Sequence, residues 1–582
     1  MPKNAIRSLA IALSIAITIV SSITCLKAQT QSAESKTPEN QKQETQELSF
    51  DESFDLWPTD LKIGGTIIAS GGGKISEAAL EYLQSESEKR RASTLVVRFS
   101  DHTEWDEDKA SQLFEDATKL AQLEIAADAT ELDKQDLDLI RESNIVVVAI
   151  DDVPEPSQLP VLKSLLFAAR TSVAEGGTLF LKGPCIEYLG EYRLSKDSDD
   201  ATPEAAFHLF PSAIIRSGYQ DKTNRTELVK ALDSTNRTVG IGIEENTSVI
   251  LRGRKIRVLG EGRSTFLLAA NEDKPVRVQH VRQATSRRAS PYSTTVDLTA
   301  WRRDAIERTV ATFPGAEPVT PIVDNGTLII VGGGGTPAGL MRKMVNLAGG
   351  RKAKMVYIPC SEADEISGPQ RTVEQWKRMG VESATFIHTK DRNKANSDEE
   401  FLEPLREATC IWFGGGRQWN LADSYYGTEA HRLMKDVLAR GGVVGGSSAG
   451  ASIQAEYMCR ANPVANFDIM APGYERGLGF IGGIAIDQHF SQRRRQKDMT
   501  QLVDRYPQLL GIGIDESTAI IVQKSTAEVV GKGKVFFYNR NEPVVSGKDD
   551  FLALGSGSSY DLANRILIEE DEEEADSKAE SQ

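Results

Sequence analysis

The chain has 582 residues, with 68 Lys and Arg against 84 Asp and Glu, a formal net charge of -16. That balance argues against a nucleic-acid partner, and the length exceeds one typical domain. Hydrophobic residues make up 40%, enough for real cores, and the five cysteines show no framework spacing that would demand disulfides. In chain order, Lys3 and Arg7 precede an apolar run from Leu9 to Val20, and polar sequence starts at Gln29. This pattern predicts a secretory signal peptide over residues 1–28, cleaved after Ala28, and an exported, periplasmic or extracellular protein. Lipid anchoring at Cys25 is the less favoured alternative, because Thr24 fits poorly before a lipidated cysteine. Residues 29–55 are rich in Ser, Gln, Glu and Lys and read as a flexible linker.

Beyond residue 56 the chain alternates apolar strands, glycine-rich loops and helical stretches. Gly65-Thr66-Ile67-Ile68-Ala69-Ser70-Gly71-Gly72-Gly73 is the first such strand and turn. Leu328–Val331, Lys354–Ile358 and Ile411–Phe413 follow in the second half, with a helical pattern over Gly339–Leu347. The alternation predicts an α/β fold with a mostly parallel, doubly wound sheet covered on both faces. Functional loops of such a sheet lie at the carboxyl ends of its strands. Gly332 to Gly335 lacks the spacing and acidic partner of a dinucleotide fingerprint and reads as a structural βα turn. No phosphate-binding loop and no Cys/His metal spacing occur, so neither a cofactor nor a metal is expected.

The strand Arg440-Gly441-Gly442-Val443-Val444 runs into Gly445-Gly446-Ser447-Ser448-Ala449-Gly450-Ala451, and Ala451 to Tyr457 is compatible with a helix. Gly-x-Ser-x-Gly between strand and helix is the context of a nucleophile elbow, which exposes the Ser448 hydroxyl. The Ala449 amide is then placed to meet a developing oxyanion. A serine needs a base, and the chain has six histidines. His489 sits where the strand Gly483–Gln488 enters a polar loop, a usual place for a catalytic group. His431 opens a helical pattern and is expected at the surface, and His388 ends a strand. Leu510-Gly511-Ile512-Gly513-Ile514-Asp515-Glu516-Ser517-Thr518 places two carboxylates between apolar strands. One of them is suited to orient the imidazole and stabilise its cation.

Three ordered runs carry a family resemblance: Gly446–Ala451, Asp487-Gln488-His489-Phe490-Ser491-Gln492-Arg493 and Gly511–Glu516. From Thr327 to Asn539 the chain resembles peptidase family S51, in its cyanophycinase branch rather than its dipeptidase E branch. The resemblance implies a fold related to class I glutamine amidotransferases, with Ser448 as nucleophile, His489 as general base and acid, and Glu516 as orienting acid. It implies cleavage next to aspartyl residues of a polypeptide, as cyanophycinases cut β-aspartyl-arginine units. Gly415 and Gly416 join Ala449 as oxyanion-hole candidates. Arg417, Gln418, Asp487, Gln488, Arg493 and Arg495 become substrate-binding candidates. Two departures bear on specificity. Arg417 stands where the family has an acid or Asn, and Asp498 stands where a third arginine would follow Arg493 and Arg495. Losing that cation is expected to weaken recognition of a substrate carboxylate. Two other readings stand beside this one: a non-catalytic binding protein of the cell envelope, and an amidase or esterase without aspartyl preference.

Laying one half on the other reveals an internal repeat. Gly65–Gly73 matches Gly326–Gly334, Gly240–Thr247 matches Gly511–Thr518, and Val296–Leu298 matches Tyr560–Leu562. In the first copy Ser448 falls on Gly183 and His489 on Gly218. The glycine loop becomes Val148 to Pro154, and only Glu245 survives. A carboxylate without base or nucleophile runs no acyl transfer. The expected organisation is therefore a degenerate domain over 56–317, a catalytic domain over 318–565 and an acidic, solvated tail over 566–582. Seven of the eight residues from Glu569 to Asp576 are acidic. Cys185 is read as a buried structural thiol. A homo-oligomer and an intramolecular pseudo-dimer are both compatible with the repeat.

Overall fold

Val323–Val331 and Val443–Ser447 run parallel, with Ile330 opposite Gly446 and Val331 opposite Ser447. Residues 327–331 and 443–446 of these strands are buried, as strands covered on both faces of a sheet must be. In this computed structural model, which describes residues 63–569 apart from 91, 100–118, 127, 151–154, 196–201 and 369, they form the middle of a nine-stranded sheet. The segments read as signal peptide and linker, including Cys25, lie outside the described residues. So do positions 151–154 of the loop opposite Gly415 and the acidic run from 570 onward.

From one edge to the other, the nine strands are Ile566–Ile568, Ser559–Asp561, Thr526–Gly531, Thr518–Lys524, Val323–Val331, Val443–Ser447, Cys410–Phe413, Lys354–Ile358 and Ser383–Phe386. The last five are parallel, and the others join antiparallel. Ile566–Ile568 is thus an edge strand rather than the start of a tail. A second, five-stranded sheet contains Ala455–Met458, Ile481–Gln488, Leu510–Ile514, Val535–Tyr538 and Leu552–Leu554. The helix expected over Ala451–Tyr457 is cut short. One turn, Ala449–Ser452, is followed by the strand Ala455–Met458, which pairs with Ile481–Gln488 and buries Tyr457 and Met458 completely.

The first half has an eight-stranded sheet in the order Thr295–Asp297, Lys255–Gly260, Thr247–Arg252, Thr66–Ser70, Thr178–Lys182, Ile145–Ala149, Ser93–Phe99 and Lys119–Ile125. It also has a six-stranded companion sheet. The order of connections is that of the second half. Hydrogen bonds agree in detail: Gly71 N–H donates to Thr247 O as Gly332 N–H donates to Thr518 O, both at 2.9 Å.

Both halves belong to one compact unit. Between them lies the helix Leu298–Glu307, whose ten residues are all buried. Asp297 caps it by accepting the Ala300 N–H at 2.8 Å, which satisfies one of the unpaired donors of a helix start. Arg303 Nε donates to Gly473 O at 2.8 Å, and Arg476 pairs with Glu307 at 2.9 Å. Arg254 of the first half reaches Asp297 and, across the junction, Asp423 at 2.5 Å and the Tyr474 hydroxyl. Its guanidinium lies 4.5 Å from the ring centre of Trp419.

Candidate active site

Ser448 ends the strand Val443–Ser447 with φ 58° and ψ −111°. A side-chain-bearing residue in that region is strained by about 1–3 kcal/mol and is held there only by its surroundings. The holding groups are close. Ser448 N–H donates to Val331 O at 3.0 Å. A Cβ on Gly446 would stand 2.4 Å from Gly450 O, and one on Gly450 would stand 2.2 Å from Phe413 O. The glycines flanking the serine are therefore required by backbone contact. Gln454 closes the following turn by donating to Gly450 O at 2.7 Å.

His489 leaves the end of Ile481–Gln488, in the smaller sheet, with φ 52° and its N–H on Gly332 O at 2.8 Å. Glu516 lies in the link from Leu510–Ile514 of that sheet to Thr518–Lys524 of the larger one. The three side chains meet where the two sheets join. Ser448 Oγ is 2.9 Å from His489 Nε2, and His489 Nδ1 is 2.6 Å from Glu516 Oε1. A proton on Nδ1 bound to the carboxylate leaves Nε2 free to accept from the serine. Burial pushes the imidazole below its usual value of 6.5. Glu516 opposes that shift, and Arg493 adds to it.

Of the acidic pair, Glu516 takes the imidazole. Asp515 braces the histidine loop instead, accepting the Ser491 N–H at 2.9 Å and the Ser491 hydroxyl at 2.6 Å. Gln492 Oε1 accepts the Glu516 N–H at 3.0 Å, a positioning role that its place in the sequence does not disclose. The turn at Gly333-Gly334, expected to be merely structural, is the floor of this arrangement. A Cβ on Gly333 would stand 2.3 Å from His489 Cε1, and one on Gly334 would stand 2.5 Å from Glu516 Oε2. Adjacent glycines at the end of a central strand are the signal in the sequence.

Among the oxyanion candidates, Gly415 is beside the nucleophile: a Cβ there would lie 3.6 Å from Ser448 Cβ. Ala449 follows the serine directly and is fully buried. Gly416 faces Cys360 instead: a Cβ there would stand 2.7 Å from Cys360 O. Burial pushes the Cys360 thiol up to about 12, so it is not a competing nucleophile.

Four of the six substrate-binding candidates are withdrawn from solvent. Asp487 is fully buried and accepts from Arg495 at 2.7 Å and from Arg460 at 2.8 Å. Arg495 also donates to Gln488 O at 2.6 Å, and Gln488 is itself buried. Gln418 is buried and donates to Cys459 O at 2.5 Å. These side chains brace the loops behind the catalytic groups because buried charges must be paired. Asp498 is likewise part of a pair, with Arg460 Nη2 at 2.6 Å. The cations near the site mouth are Arg493, which is exposed and donates its N–H to His489 O at 3.1 Å, and the partly buried Arg417. Arg417 donates to Asn462 O.

His431 is buried, not at the surface. Its Nε2 lies 2.8 Å from Leu478 O, and burial lowers it to about 3. His388 Nε2 meets Ala363 O at 2.6 Å, away from the triad. Cys185 is buried, as expected. Among the described residues, no three His, Cys, Asp or Glu side chains are grouped to hold a metal.

The same stretch of chain that builds this geometry is shared with known proteins. Residues 328–530 match the profile of peptidase family S51. That match falls within the second half of the chain, a serine-type peptidase. The chain is 29% identical over 199 residues to a cyanophycinase of Geminocystis herdmanii, covering 34% of this chain and 73% of that one. It is 26% identical over 273 residues to a cyanophycinase of Trichormus variabilis, covering 43% and 90%. A solved peptidase from an acI-B1 Actinobacterium aligns over 42% of this chain and 98% of its own, at 23% identity and a TM-score of 0.31.

Within the first half, backbone bonds at and beside the matching positions recur, although Gly183 stands for Ser448 and Gly218 for His489. Gly183 N–H donates to Ser70 O at 3.1 Å, as Ser448 does to Val331 O. Asn246 N–H donates to Gly72 O at 3.0 Å, as Ser517 does to Gly333 O at 2.8 Å.

Proposed function

We propose that this serine-type peptidase hydrolyses amide bonds next to aspartyl residues through an acyl-enzyme on Ser448. The observation that carries the reading is the continuous relay Ser448–His489–Glu516 at 2.9 and 2.6 Å, at an elbow whose strain aims the hydroxyl outward. Ser448 Oγ attacks the carbonyl carbon as His489 Nε2 takes its proton, and Glu516 holds the resulting imidazolium. The negative charge develops toward the backbone at Gly415 and Ala449. Collapse breaks the C–N bond, and the leaving amine takes the proton from Nε2. Water then enters by the same base and releases the acid and Ser448.

Aspartyl recognition rests on Arg493 and Arg417, the cations near the mouth; the β-aspartyl-arginine linkage is the specific substrate implied by the family resemblance. The pairing of Arg495 with Asp487 favours a second reading, an amidase without aspartyl preference. In the same proposal the enzyme is exported by residues 1–28. The first half, 56–317, is a duplicate of the catalytic region, 318–565, that lost its chemistry and remains as an intramolecular partner. The matching strand orders and backbone bonds support that last part.

A fluorophosphonate probe and a panel of α-aspartyl, β-aspartyl and neutral peptides test the reading. Labelling confined to Ser448, with turnover at least tenfold higher on aspartyl peptides, is expected. Labelling of another serine would overturn the nucleophile, and equal turnover of neutral peptides would favour the second reading.

A further inference from the structure

The hairpin Thr247–Gly260 of the first half and the hairpin Thr518–Gly531 of the second share one register. Thr247 faces Gly260 and Arg252 faces Lys255, just as Thr518 faces Gly531 and Gln523 faces Thr526. Their charges differ. Gln523, Thr526 and Glu528 of the second hairpin are replaced in the first by Arg252, Lys255 and Arg257. Arg257 lies opposite Ile250, so the alternation of a strand puts the three cations on one face. Like charges placed directly opposite, as Arg252 and Lys255 are, weaken a ladder. All three are exposed, and none forms an ion pair among the described residues. They do not guard an open sheet edge, a common use of surface cations. Lys255 and Arg257 are already covered by the strand Thr295–Asp297.

These cations line an open pocket of about 380 Å³ together with Pro291 and with Val464 of the second half. Val464 belongs to a loop that Arg417 contacts. Its N–H donates to Asn462 Oδ1 at 2.9 Å, and Asn462 O accepts from Arg417. Arg417 follows Gly415, which lies beside Ser448. The first half grips the same loop through Tyr292, whose hydroxyl donates to Ala465 O at 3.2 Å. Contacts thus run from the pocket lining through this loop to Arg417 and the glycines that precede it.

We infer that Arg252, Lys255 and Arg257 form a binding site on the first half for the anionic stretch of an acidic polypeptide substrate. The choice of polypeptide over another polyanion rests on the peptidase reading of the neighbouring site. The duplicated half then contributes substrate affinity through charges it acquired, while the second half performs the chemistry. Each of the three cations is solvent-exposed, so the affinity is salt-sensitive.

The test uses the full chain carrying Ser448→Ala, so that binding is read without hydrolysis. Fluorescence anisotropy is measured with a labelled polyaspartate oligomer. Arg252→Glu with Lys255→Glu and Arg257→Glu should weaken binding about tenfold or more, the combined effect of turning three exposed attractions into repulsions. A control with the same change in net charge, Arg342→Glu with Arg351→Glu and Lys352→Glu on other exposed positions, should weaken it no more than about twofold. Equal weakening in the two triple variants would overturn the site in favour of a general charge effect. Binding of an oligothymidylate as tight as that of polyaspartate would overturn the assignment to polypeptides. Polyaspartate binding that emerges only after removal of residues 569–582 would make the chain's own acidic tail the occupant. Because the readout is binding by an inert variant, a failure here is separable from a failure of the peptidase reading, which the Ser448 probe decides.

Discussion

Gly218 in the first half and His489 in the second occupy the same backbone position. Their φ angles are 54° and 52°, and their N–H groups donate to Gly71 O at 2.7 Å and Gly332 O at 2.8 Å. The left-handed conformation is natural for glycine and costly for histidine. In the second half that cost is offset by the contacts of the imidazole with Ser448 and Glu516. In the first half Gly183 stands where Ser448 does, so a histidine at 218 would lack the serine contact, and glycine relaxes the strain.

Supplying the two side chains to the first half should therefore not create the chemistry there. In the Ser448→Ala background, Gly183→Ser combined with Gly218→His is expected to show no hydrolysis above that background, because the loop opposite Gly415 carries Val148 to Pro154 instead of glycines. Peptide turnover is the measurement, and any rate within about a hundredfold of the parent, the scale of one oxyanion donor, would show that this loop suffices.

Ser448→Ala alone should lower turnover by about 10⁴- to 10⁶-fold, the scale seen when one member of a catalytic unit is removed. Alanine fits the elbow, so the melting temperature should stay close to that of the parent. Activity within tenfold of the parent would exclude Ser448 as nucleophile.

The pH profile should report the neutral base. His489 must be unprotonated to accept from Ser448, and burial holds its pKa below 6.5. kcat/KM should rise with pH through a midpoint below that value and be level by neutrality. Glu516→Gln should remove the interaction that raises the imidazole pKa, move the midpoint lower and cut the plateau by about 10²- to 10⁴-fold through loss of tautomer control. An acid limb above pH 6.5 in the parent would contradict the buried imidazole as base.

Much of the catalytic set is legible in the sequence because its constraints are local. The Gly-x-Ser-x-Gly spacing is dictated by contacts at Gly446 and Gly450, and a His at a strand end is a recognisable pattern. The matching strand orders of the two halves are legible because apolar strands and their glycines occur in both. The substrate-binding residues are less legible. Asp487 and Arg495 carry the charges expected of a recognition site, yet they neutralise each other in the interior. Whether a charge faces solvent depends on partners far away in sequence, such as Arg460 for Asp487 and Asp498. The second sheet is also hidden, because Ala455–Met458 has a helix-compatible composition and becomes a strand only by pairing with Ile481–Gln488.

The junction of the halves should respond to pH through Glu475. Burial, with Glu307 and Asp304 nearby, raises its pKa from 4.5 to about 7, against the opposing effect of Lys274. A carboxyl whose folded pKa is raised contributes stability that is full below its unfolded value and is lost as pH rises through the folded one. Stability from this group should therefore fall between about pH 4.5 and 7. Glu475→Gln, which can still accept from the Tyr457 hydroxyl, should leave acid stability unchanged and add about 1–3 kcal/mol at pH 8. Denaturant titrations at the two pH values decide this, and an unaltered difference between them would remove Glu475 as the source.

Arg254 should matter to the second half although it belongs to the first. Its guanidinium bridges Asp297 at 2.6 Å and Asp423 at 2.5 Å and lies over Trp419. Trp419 and Asp423 belong to the buried helix Trp419–Tyr425, which starts directly after the loop Gly415-Gly416-Arg417-Gln418. Position 254 is Ser525 in the second hairpin, so this contact is particular to the first half. Removing one partner of a buried ion pair leaves charge uncompensated and costs about 3–5 kcal/mol. Arg254→Met, which keeps length without charge, should lower stability by that order. It should also lower kcat more than it raises KM, because the helix sets the backbone that faces the oxyanion. Arg254→Lys keeps a charge but not the planar fork needed to span both carboxylates, and should recover only part of either effect. Melting curves fix the conditions under which each variant is folded, and kcat and KM are then read below the transition. A destabilised variant with the kcat of the parent would confine Arg254 to holding the halves together. A fall in kcat in the fully folded protein would make the first half a working part of the site around Ser448.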